Sequence, residues 1–249
     1  MNISVCVKRV PDTETRIRMG ADGASIDPSG VKFVVSPYDE IAVEAALRLK
    51  EGQGTGEVVT VSLGDEVGQD ILRTTLAMGA DRAVLLKGEV TSDGLATAKT
   101  LAAELEGHDA PLILLGVKAA DDDQQQVGPM LATLLGRPCA TAVSSFEVVE
   151  DRVRCRREVE GGSEVVEIPL PAVLTITKGA YEPRYASLKG IMAAKKKPLE
   201  VKDAVASPSR IRVEGLALPP ERSAGRIVGE GPEAARELVR ILREEANAL

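Results

Sequence analysis

The sequence is poor in the residue types that most often carry catalytic chemistry. In 249 residues it has two phenylalanines, three tyrosines, no tryptophan, one histidine and three cysteines. So few aromatic side chains exclude an aromatic cage or a platform on which bases stack. The cysteines, Cys6, Cys139 and Cys155, are odd in number and widely spaced, which suits neither a disulfide framework nor a metal site. A hydrolytic triad or a histidine-based metal centre would depend entirely on His108.

Charge and hydropathy exclude two further classes of protein. The formal net charge is -7, whereas a face that binds nucleic acid is basic. No apolar run approaches the ~18 residues of a membrane-spanning helix. Residues 1–6 enter a strand-like pattern without the basic and then apolar segment of a secretory signal. We therefore expect a cytoplasmic protein that binds no nucleic acid and does not span a membrane.

The apolar pattern of the chain predicts alternating strands and helices. Five short runs, nearly all apolar, are typical of strands covered on both faces: residues 3–7, 58–61, 83–86, 111–116 and 172–176. Between them, helical spacing begins at Ser36, near Val67, at Ser92 and at Gln124. Ser36 as the N-cap, with Pro37 in the first turn and the acid Asp39 three residues on, is the pattern of a helix start. This alternation predicts an α/β fold with a doubly wound, mainly parallel, Rossmann-like sheet.

The pattern changes twice in the second half of the chain. Residues 145–168 alternate polar and apolar, with turns near 150 and 161, and predict an inserted antiparallel ribbon with one wet face. Residues 203–232 contain four prolines among small residues and predict an extended arm, followed by an amphipathic helix over 232–248. We expect a nucleotide-binding domain over 1–202 and an arm and helix over 203–249. That extension either wraps a partner or packs back on its own domain.

One segment is rich in polar side chains, residues 116–128. It follows the fourth strand and opens a helix, and the backbone N–H groups of a helix start suit a phosphate. Three successive aspartates, Asp121 to Asp123, either stabilise the helix start or, less plausibly for adjacent residues, gather a metal ion. The chain contains no Walker loop motif. The glycines at 52–56 do not form a dinucleotide fingerprint, because that motif follows a strand and opens a helix, whereas these glycines lie between a helix end and a strand.

Seven stretches of the chain together carry a family resemblance. They occur in the family's order along the chain and are residues 7–10, 36–44, 77–82, 115–123, 182–188, 191–197 and 219–225. On these stretches the chain resembles the β subunit of electron transfer flavoprotein over essentially its whole length.

The resemblance implies an electron-carrier subunit rather than an enzyme. Its partner would be a larger α subunit that holds FAD, mainly on its own side of the interface, and the β subunit itself would hold AMP. The heterodimer would take electrons from acyl-CoA and related dehydrogenases, as in fatty acid β-oxidation, and pass them to a membrane electron transfer flavoprotein–quinone oxidoreductase. Two alternatives stay open: a free-standing adenine-nucleotide-binding protein of the stress-protein kind, and the β subunit of an electron-bifurcating flavoprotein with a second FAD.

The resemblance also implies three sets of site residues. AMP would be held by Cys6, through its backbone, and by Ser36, Pro37, Tyr38, Asp39, Leu63, Gly116, Val117, Lys118, Ala119, Ala120, Asp121, Asp122, Asp123, Gln124, Gln125, Gln126 and Val127. Glu158 would contact the α subunit. A protruding loop with Leu188 as its anchor, the docking segment, would bind dehydrogenases through Arg184, Tyr185, Ala186, Ser187, Leu188, Lys189, Gly190, Ile191, Met192 and Ala193. The neighbouring Lys189 and Lys195 to Lys197 would steer an acidic partner surface.

Overall fold

The predicted strands all belong to one nine-stranded sheet, and two further short strands form a separate two-stranded sheet. In the computed structural model, residues 1–220 and 224–249 are described. Glu221, Arg222 and Ser223, which belong to the last stretch of the resemblance, lie outside the described residues.

Strands and helices alternate along the first half of the chain, with a short 3₁₀ turn before α2. The strands are β1 Ile3–Cys6, β2 Arg9–Pro11, β3 Phe33–Val35, β4 Val58–Gly64, β5 Arg82–Lys87, β6 Leu112–Gly116, β7 Cys139–Val149, β8 Arg152–Val159, β9 Gly162–Pro169, β10 Ala172–Ile176 and β11 Leu199–Asp203. The helices are α1 Pro37–Gln53, α2 Gln69–Met78, α3 Gly94–Leu105, α4 Val127–Leu134, α5 Leu188–Ala194 and α6 Ala234–Glu244.

The order of the strands places a reversal at the centre of the sheet. The order is β11-β5-β4-β1-β6-β10-β7-β8-β9, and every neighbouring pair from β11 to β7 is parallel. The chain runs from β1 through β4 to β5 and then crosses to β6 on the other side of β1. Ligands of such sheets bind beyond the carboxyl ends of the strands at this point of reversal.

Helices cover both faces of the sheet because its central strands are apolar on both faces. Ile3 and Val5 of β1 pack with α1 and α2 in one cluster of buried side chains. Cys6 of the same strand packs with α3 and α4 in a second cluster. This arrangement confirms the prediction of a doubly wound, mainly parallel sheet.

The antiparallel ribbon predicted over residues 145–168 is present as β7, β8 and β9, and it continues the main sheet. β7 begins at Cys139, pairs in parallel with β10 and then, from Val143 onward, pairs antiparallel with β8. β9 completes the antiparallel part and forms one edge of the sheet. A register shift in β7 between Val143 and Ser145 marks the change of partner.

Several local predictions were wrong. α4 begins at Val127 and not at Gln124, because Asp123 and Gln125 have left-handed φ angles of 51° and 57° that interrupt a helix. The docking segment is helical from Leu188 and is therefore not a simple loop. The sequence pattern also gave no sign of the β2–β3 ribbon or of β11, which pairs in parallel with β5.

The chain divides into two compact units, residues 1–215 and 216–249. The second unit contains α6, in which Arg240 forms ion pairs with Glu237 and Glu244 at 2.6 and 3.0 Å. The described residues between 204 and 233 form neither a helix nor a strand, in keeping with an extended arm. None of the helices in the described ranges is both long enough and apolar enough to cross a membrane. That the arm and helix wrap a partner stays a prediction.

Candidate nucleotide-binding site

A cleft lies at the carboxyl ends of β1 and β6, where the strand order reverses. It holds about 810 Å³ of space that no protein atom fills, part of it open to solvent. Its walls come from the ends of β1, β4 and β6, the loop after β5, the first turns of α3 and α4, and the segment between β6 and α4. The lining residues are Cys6, Val7, Lys8, Asp39, Leu63, Val90, Thr91, Gly94, Thr97, Leu101, Leu115, Gly116, Val117, Lys118, Ala119, Asp122, Gln124, Gln125, Gln126, Val127 and Gly128.

Asp39 joins three elements at the floor of this cleft. It lies buried in the first turn of α1, where one carboxylate oxygen accepts the Gly116 N–H at 2.9 Å and the other accepts the Lys8 N–H at 2.8 Å. Burial raises the pKa of Asp39 to about 7, against the lowering effect of these two hydrogen bonds. The carboxylate therefore holds the end of β6 and the end of β1 against the start of α1.

Ser36 does not play the capping role that the sequence suggested. Its side chain makes no hydrogen bond to α1, and its buried hydroxyl has no hydrogen-bond partner in the described part of the chain. The acid three residues later, Asp39, bonds to β1 and β6 instead of closing a capping box. The pattern located the helix start correctly, but the prediction of its capping was wrong.

Two glycines let the backbone and the helices approach closely at the cleft. A Cβ atom on Gly116 would lie 2.5 Å from Asp39 Oδ1 and 2.7 Å from the carbonyl carbon of Tyr38. A Cβ atom on Gly128, in the first turn of α4, would collide with Cγ2 of Thr175 on β10. Since neither position has room for a side chain, both glycines set the shape of the cleft.

Both lysines of the cleft are paired with the three successive aspartates. Lys8 Nζ lies 2.8 Å from a carboxylate oxygen of Asp121 and of Asp122, and Lys118 Nζ lies 2.6 Å from Asp123. Burial lowers the pKa of Lys8, but its hydrogen bonds to Asp121 and Asp122 outweigh burial and raise it. The aspartates precede α4 and neutralise lysines, so they do not act as first-turn acids of that helix. No group of His, Cys, Asp or Glu in the described ranges could hold a metal ion.

The two helices that border the cleft differ at their first turns. Asp93 caps α3 by accepting the N–H groups of Leu95 and Ala96 at 2.9 and 3.2 Å. In the described chain, no side chain caps the start of α4 in this way. The first N–H groups of α4 are therefore left for a ligand, and the partial positive charge of a helix start favours an anion.

The structure brings most of the predicted AMP residues to this cleft, but not all of them. Those that do not line it are Ser36, Pro37, Tyr38, Ala120, Asp121 and Asp123. Sequence reasoning missed several lining residues, among them Thr91, Gly94 and Thr97 in the loop after β5 and in α3. The rule that ligands lie beyond the carboxyl ends of neighbouring strands could have found them.

Cys6 contributes no reactive thiol to the cleft. Its side chain is buried, and burial, followed by the nearby Asp39 carboxylate, raises the pKa of the thiol. Because the thiolate is the nucleophilic form, this cysteine is held unreactive.

His108 lies between a serine and a carboxylate, as in a hydrolytic triad, but the serine is not accessible to a substrate. Its Nδ1 lies 3.0 Å from Ser4 Oγ, and its Nε2 lies 3.0 Å from Glu104 Oε1. Ser4 lies within β1 and is completely buried. No substrate can reach that hydroxyl, so this trio ties β1 to α3 as a structural contact.

The docking segment presents large apolar side chains to solvent. Tyr185 is 99% exposed and Leu188 is 85% exposed. Ser187 begins α5 by accepting the Gly190 N–H at 3.0 Å, which fixes the start of the helix directly at Leu188. An exposed leucine held at a helix start has the form of an anchor for a partner.

Two residues predicted to meet a partner are also engaged within the chain. Arg184 forms ion pairs with Glu44 at 2.7 Å and with Glu51 at 2.5 Å. Lys197, expected from the sequence to steer an acidic partner, donates to the carbonyl oxygens of Leu76 and Ala80 at 2.9 and 2.6 Å.

Comparison with known proteins places the chain in a family. A family model described as an electron transfer flavoprotein domain matches residues 24–207. The chain is 43% identical over 249 residues to the electron transfer flavoprotein subunit beta of Bradyrhizobium diazoefficiens, covering 100% of both chains. It is 41% identical over 248 residues to the protein of the same name from Mus musculus, covering 96% of each chain. A third such protein, from Syntrophomonas wolfei, is 40% identical over 233 residues, or 94% of this chain and 92% of the relative.

The chain belongs to the electron transfer flavoprotein β-subunit family. Membership implies a role in electron transfer and confirms the resemblance seen in the sequence. The match to the electron transfer flavoprotein domain begins before β3 and ends after β11. It therefore includes both the segment between β6 and α4, which lines the cleft, and the docking segment.

The close approach of Gly128 to Thr175 generates a prediction for a cleft that holds AMP. Gly128→Ala should abolish AMP binding, because the added Cβ pushes the first turn of α4 away from β10 and deforms the cleft. Equilibrium dialysis or calorimetry with AMP measures the loss. Gly52→Ala, where a Cβ meets nothing within 4 Å, is the control and should bind AMP normally.

A second change separates this local clash from general damage to the fold. Thr175→Ser removes Cγ2 but keeps the hydroxyl that accepts the Ala142 N–H at 3.1 Å. Combined with Gly128→Ala, it should restore AMP binding. AMP retention by the single Gly128→Ala variant would contradict the placement of the ligand at α4.

Proposed function

We propose that this chain is the β subunit of a heterodimeric electron carrier and that its cleft holds AMP. The α subunit carries the FAD, near the interface. The pair takes electrons from acyl-CoA and related dehydrogenases and passes them to a membrane quinone oxidoreductase. The observation that carries the proposal is the uncapped start of α4 at the strand reversal, in a chain with relatives named as electron transfer flavoprotein β subunits.

The composition of the cleft favours a nucleoside monophosphate. Leu63, Leu101 and Leu115 provide an apolar wall for a base, and the start of α4 provides N–H groups for one phosphate. Because both cleft lysines are already paired with aspartates, little positive charge is left for further phosphates. None of the described residues that line the cleft is aromatic, which favours AMP over a second FAD with its flavin ring.

The first test is the cofactor content of the purified protein. The chain alone should be nearly colourless, and co-expression with an α subunit should give about one FAD per pair. Acid extraction of the complex followed by chromatography should release AMP. Tight, stoichiometric FAD on the isolated chain would contradict the AMP assignment and favour the electron-bifurcating alternative. A chain that forms no complex with an α subunit would favour the free-standing alternative.

The exposed apolar side chains of the docking segment support the proposal that it binds dehydrogenases. Leu188 is exposed at the start of α5, and the exposed Tyr185, Ile191 and Met192 lie nearby in the sequence. Scattered exposed leucines are common, but this one belongs to a group of exposed apolar side chains. Lys189, Lys195 and Lys196 are exposed close by and would attract an acidic partner, mainly by raising the association rate.

Leu188→Ala should lower the affinity for a dehydrogenase by about one to two decades. Burying a leucine side chain contributes roughly 1.5–3 kcal/mol, and about 1.4 kcal/mol corresponds to one decade. Surface plasmon resonance with the heterodimer measures the change, while FAD content, AMP content and Tm should stay constant. Val67→Ala, at a residue 56% exposed outside the docking segment, is the control. Wild-type affinity in Leu188→Ala, or a failure to assemble with α, would show that the segment has another role.

The position of Glu158 supports the proposal that it contacts the flavin-bearing part of the α subunit. It lies exposed near the end of β8, opposite Ser163 of β9. It forms no ion pair within the described residues, although Arg154 and Arg157 of the same strand both do. A carboxylate without an ion pair in the described part of the chain is available to a cationic group of a partner.

Glu158→Ala should change the rate of electron transfer without changing the stability of the fold. Losing one exposed ion pair alters the free energy by only ~0–1 kcal/mol, so the effect comes from greater freedom of the α-subunit flavin domain. Stopped-flow reduction of the heterodimer by a dehydrogenase measures the rate, and urea unfolding measures the stability. Glu160→Ala, an exposed carboxylate two residues further on, is the matched control. Unchanged kinetics with every dehydrogenase would assign Glu158 to the solvated surface.

A further inference from the structure

A buried carboxylate lies beneath the docking segment. Glu44 is on α1, and its side chain is only 3% exposed. Nothing in its sequence position suggested a role beyond the helix. Burying a charge this fully is unfavourable unless the charge is paired and hydrogen-bonded.

Two arginines pair with Glu44, and both also hold the chain around the docking segment. Arg184 donates from Nε to Glu44 at 2.7 Å and from a terminal nitrogen at 3.2 Å. Arg48 donates from Nε to Glu44 at 2.7 Å, and its terminal nitrogens donate to the carbonyl oxygens of Ala180 and Glu182, each at 3.3 Å. Burial raises the pKa of Glu44, but the hydrogen bonds from Arg184 and Arg48 outweigh burial and lower it. The carboxylate is thus charged at neutral pH.

The other end of the docking segment is held by α2. Arg73 donates to the carbonyl oxygens of Ala194 and Lys197 at 2.6 and 3.0 Å. Gly190 lies against the carbonyl oxygen of Ala77 so closely that a Cβ atom would collide with it. The chain is therefore held against α1 and α2 on both sides of Leu188.

We propose that Glu44 is the positioning residue of the docking segment: it holds Arg184 so that Leu188 is presented in the geometry that a dehydrogenase binds. The inference rests on the proposed docking function. A surface ordered before binding loses less conformational entropy when a partner arrives, so the same contacts give higher affinity. Glu51 also binds Arg184 but is 56% exposed on its side chain, and it contributes less because solvent competes for its charge.

The test compares Glu44→Gln with Glu51→Gln in the assembled heterodimer. Glu44→Gln keeps the shape and the accepting oxygen but removes the charge. Used as the electron acceptor of a dehydrogenase, this heterodimer should show a KM raised by about tenfold and an unchanged kcat, the equivalent of about 1.4 kcal/mol in binding. Glu51→Gln should raise KM by less. Hydrogen exchange of residues 180–194 should accelerate in Glu44→Gln, while Tm and FAD content stay close to those of the parent.

A double-mutant cycle with Leu188→Ala shows whether Glu44 acts through the anchor. In the Leu188→Ala background, Glu44→Gln should raise KM no further, because the contact that it positions is already lost. Additive effects would overturn the inference, since Glu44 would then act by another route. If Glu44→Gln lowers Tm, Arg184→Lys takes its place in the test, because it keeps the charge and loses the bidentate contact. It should give the same KM shift, and this shift should likewise disappear in the Leu188→Ala background.

The two proposals fail in different ways. If Leu188→Ala raises KM while Glu44→Gln and Arg184→Lys leave both KM and hydrogen exchange unchanged, the docking function stands and the positioning role is overturned. If Leu188→Ala itself leaves KM unchanged, the docking function is contradicted and the positioning role falls with it.

Discussion

The cleft depends on one buried carboxylate. Asp39 accepts the N–H of Lys8, just beyond β1, and the N–H of Gly116, at the end of β6, and it does so from the first turn of α1. These are the two strands between which the sheet reverses its order, so the carboxylate fixes the spacing of the two walls between which a ligand would lie. The absence of a side chain at Gly116 is part of the same constraint, because a Cβ there would displace Asp39.

The parts of the fold that could be predicted from the sequence are those decided by local patterns. The strand at 172–176 was predicted with the bounds that the structure gives it, because a parallel strand buried on both faces is apolar at nearly every residue, here at all but Thr175. The start of α1 was found from Ser36, Pro37 and Asp39, yet the role of Asp39 was not, since its hydrogen bonds are to residues 31 and 77 positions away. A local pattern locates a helix start, but only tertiary structure shows which partners its polar groups choose.

The failures have the same physical origin. β2 and β3 have only three residues each, and β11 is mostly exposed with two apolar residues, so their patterns are too short to mark them as strands. Asp123 and Gln125 take left-handed φ angles that their residue types do not demand; Asp123 pairs with Lys118. Arg184 and Lys197 lie in a polar stretch that the sequence predicts to be exposed. Nothing local shows that the Arg184 guanidinium pairs with Glu44, or that the Lys197 ammonium donates to carbonyl oxygens at the end of α2.

The charged side chains of the cleft are already engaged within the chain, and this bears on what a nucleotide would do there. Asp39 holds backbone N–H groups, Lys8 and Lys118 hold aspartates, and the Cys6 thiol is buried and protonated. Among the described residues, these charged groups of the cleft therefore serve to anchor other parts of the chain. A nucleotide that bridges α3, α4 and the ends of β1 and β6 would bind the folded chain and not the unfolded one. Its binding energy would then add to the stability of the fold by mass action. We propose that such a nucleotide is part of the scaffold that supports the flavin subunit, whereas the docking segment, held against α1 and α2, would meet the partner dehydrogenases.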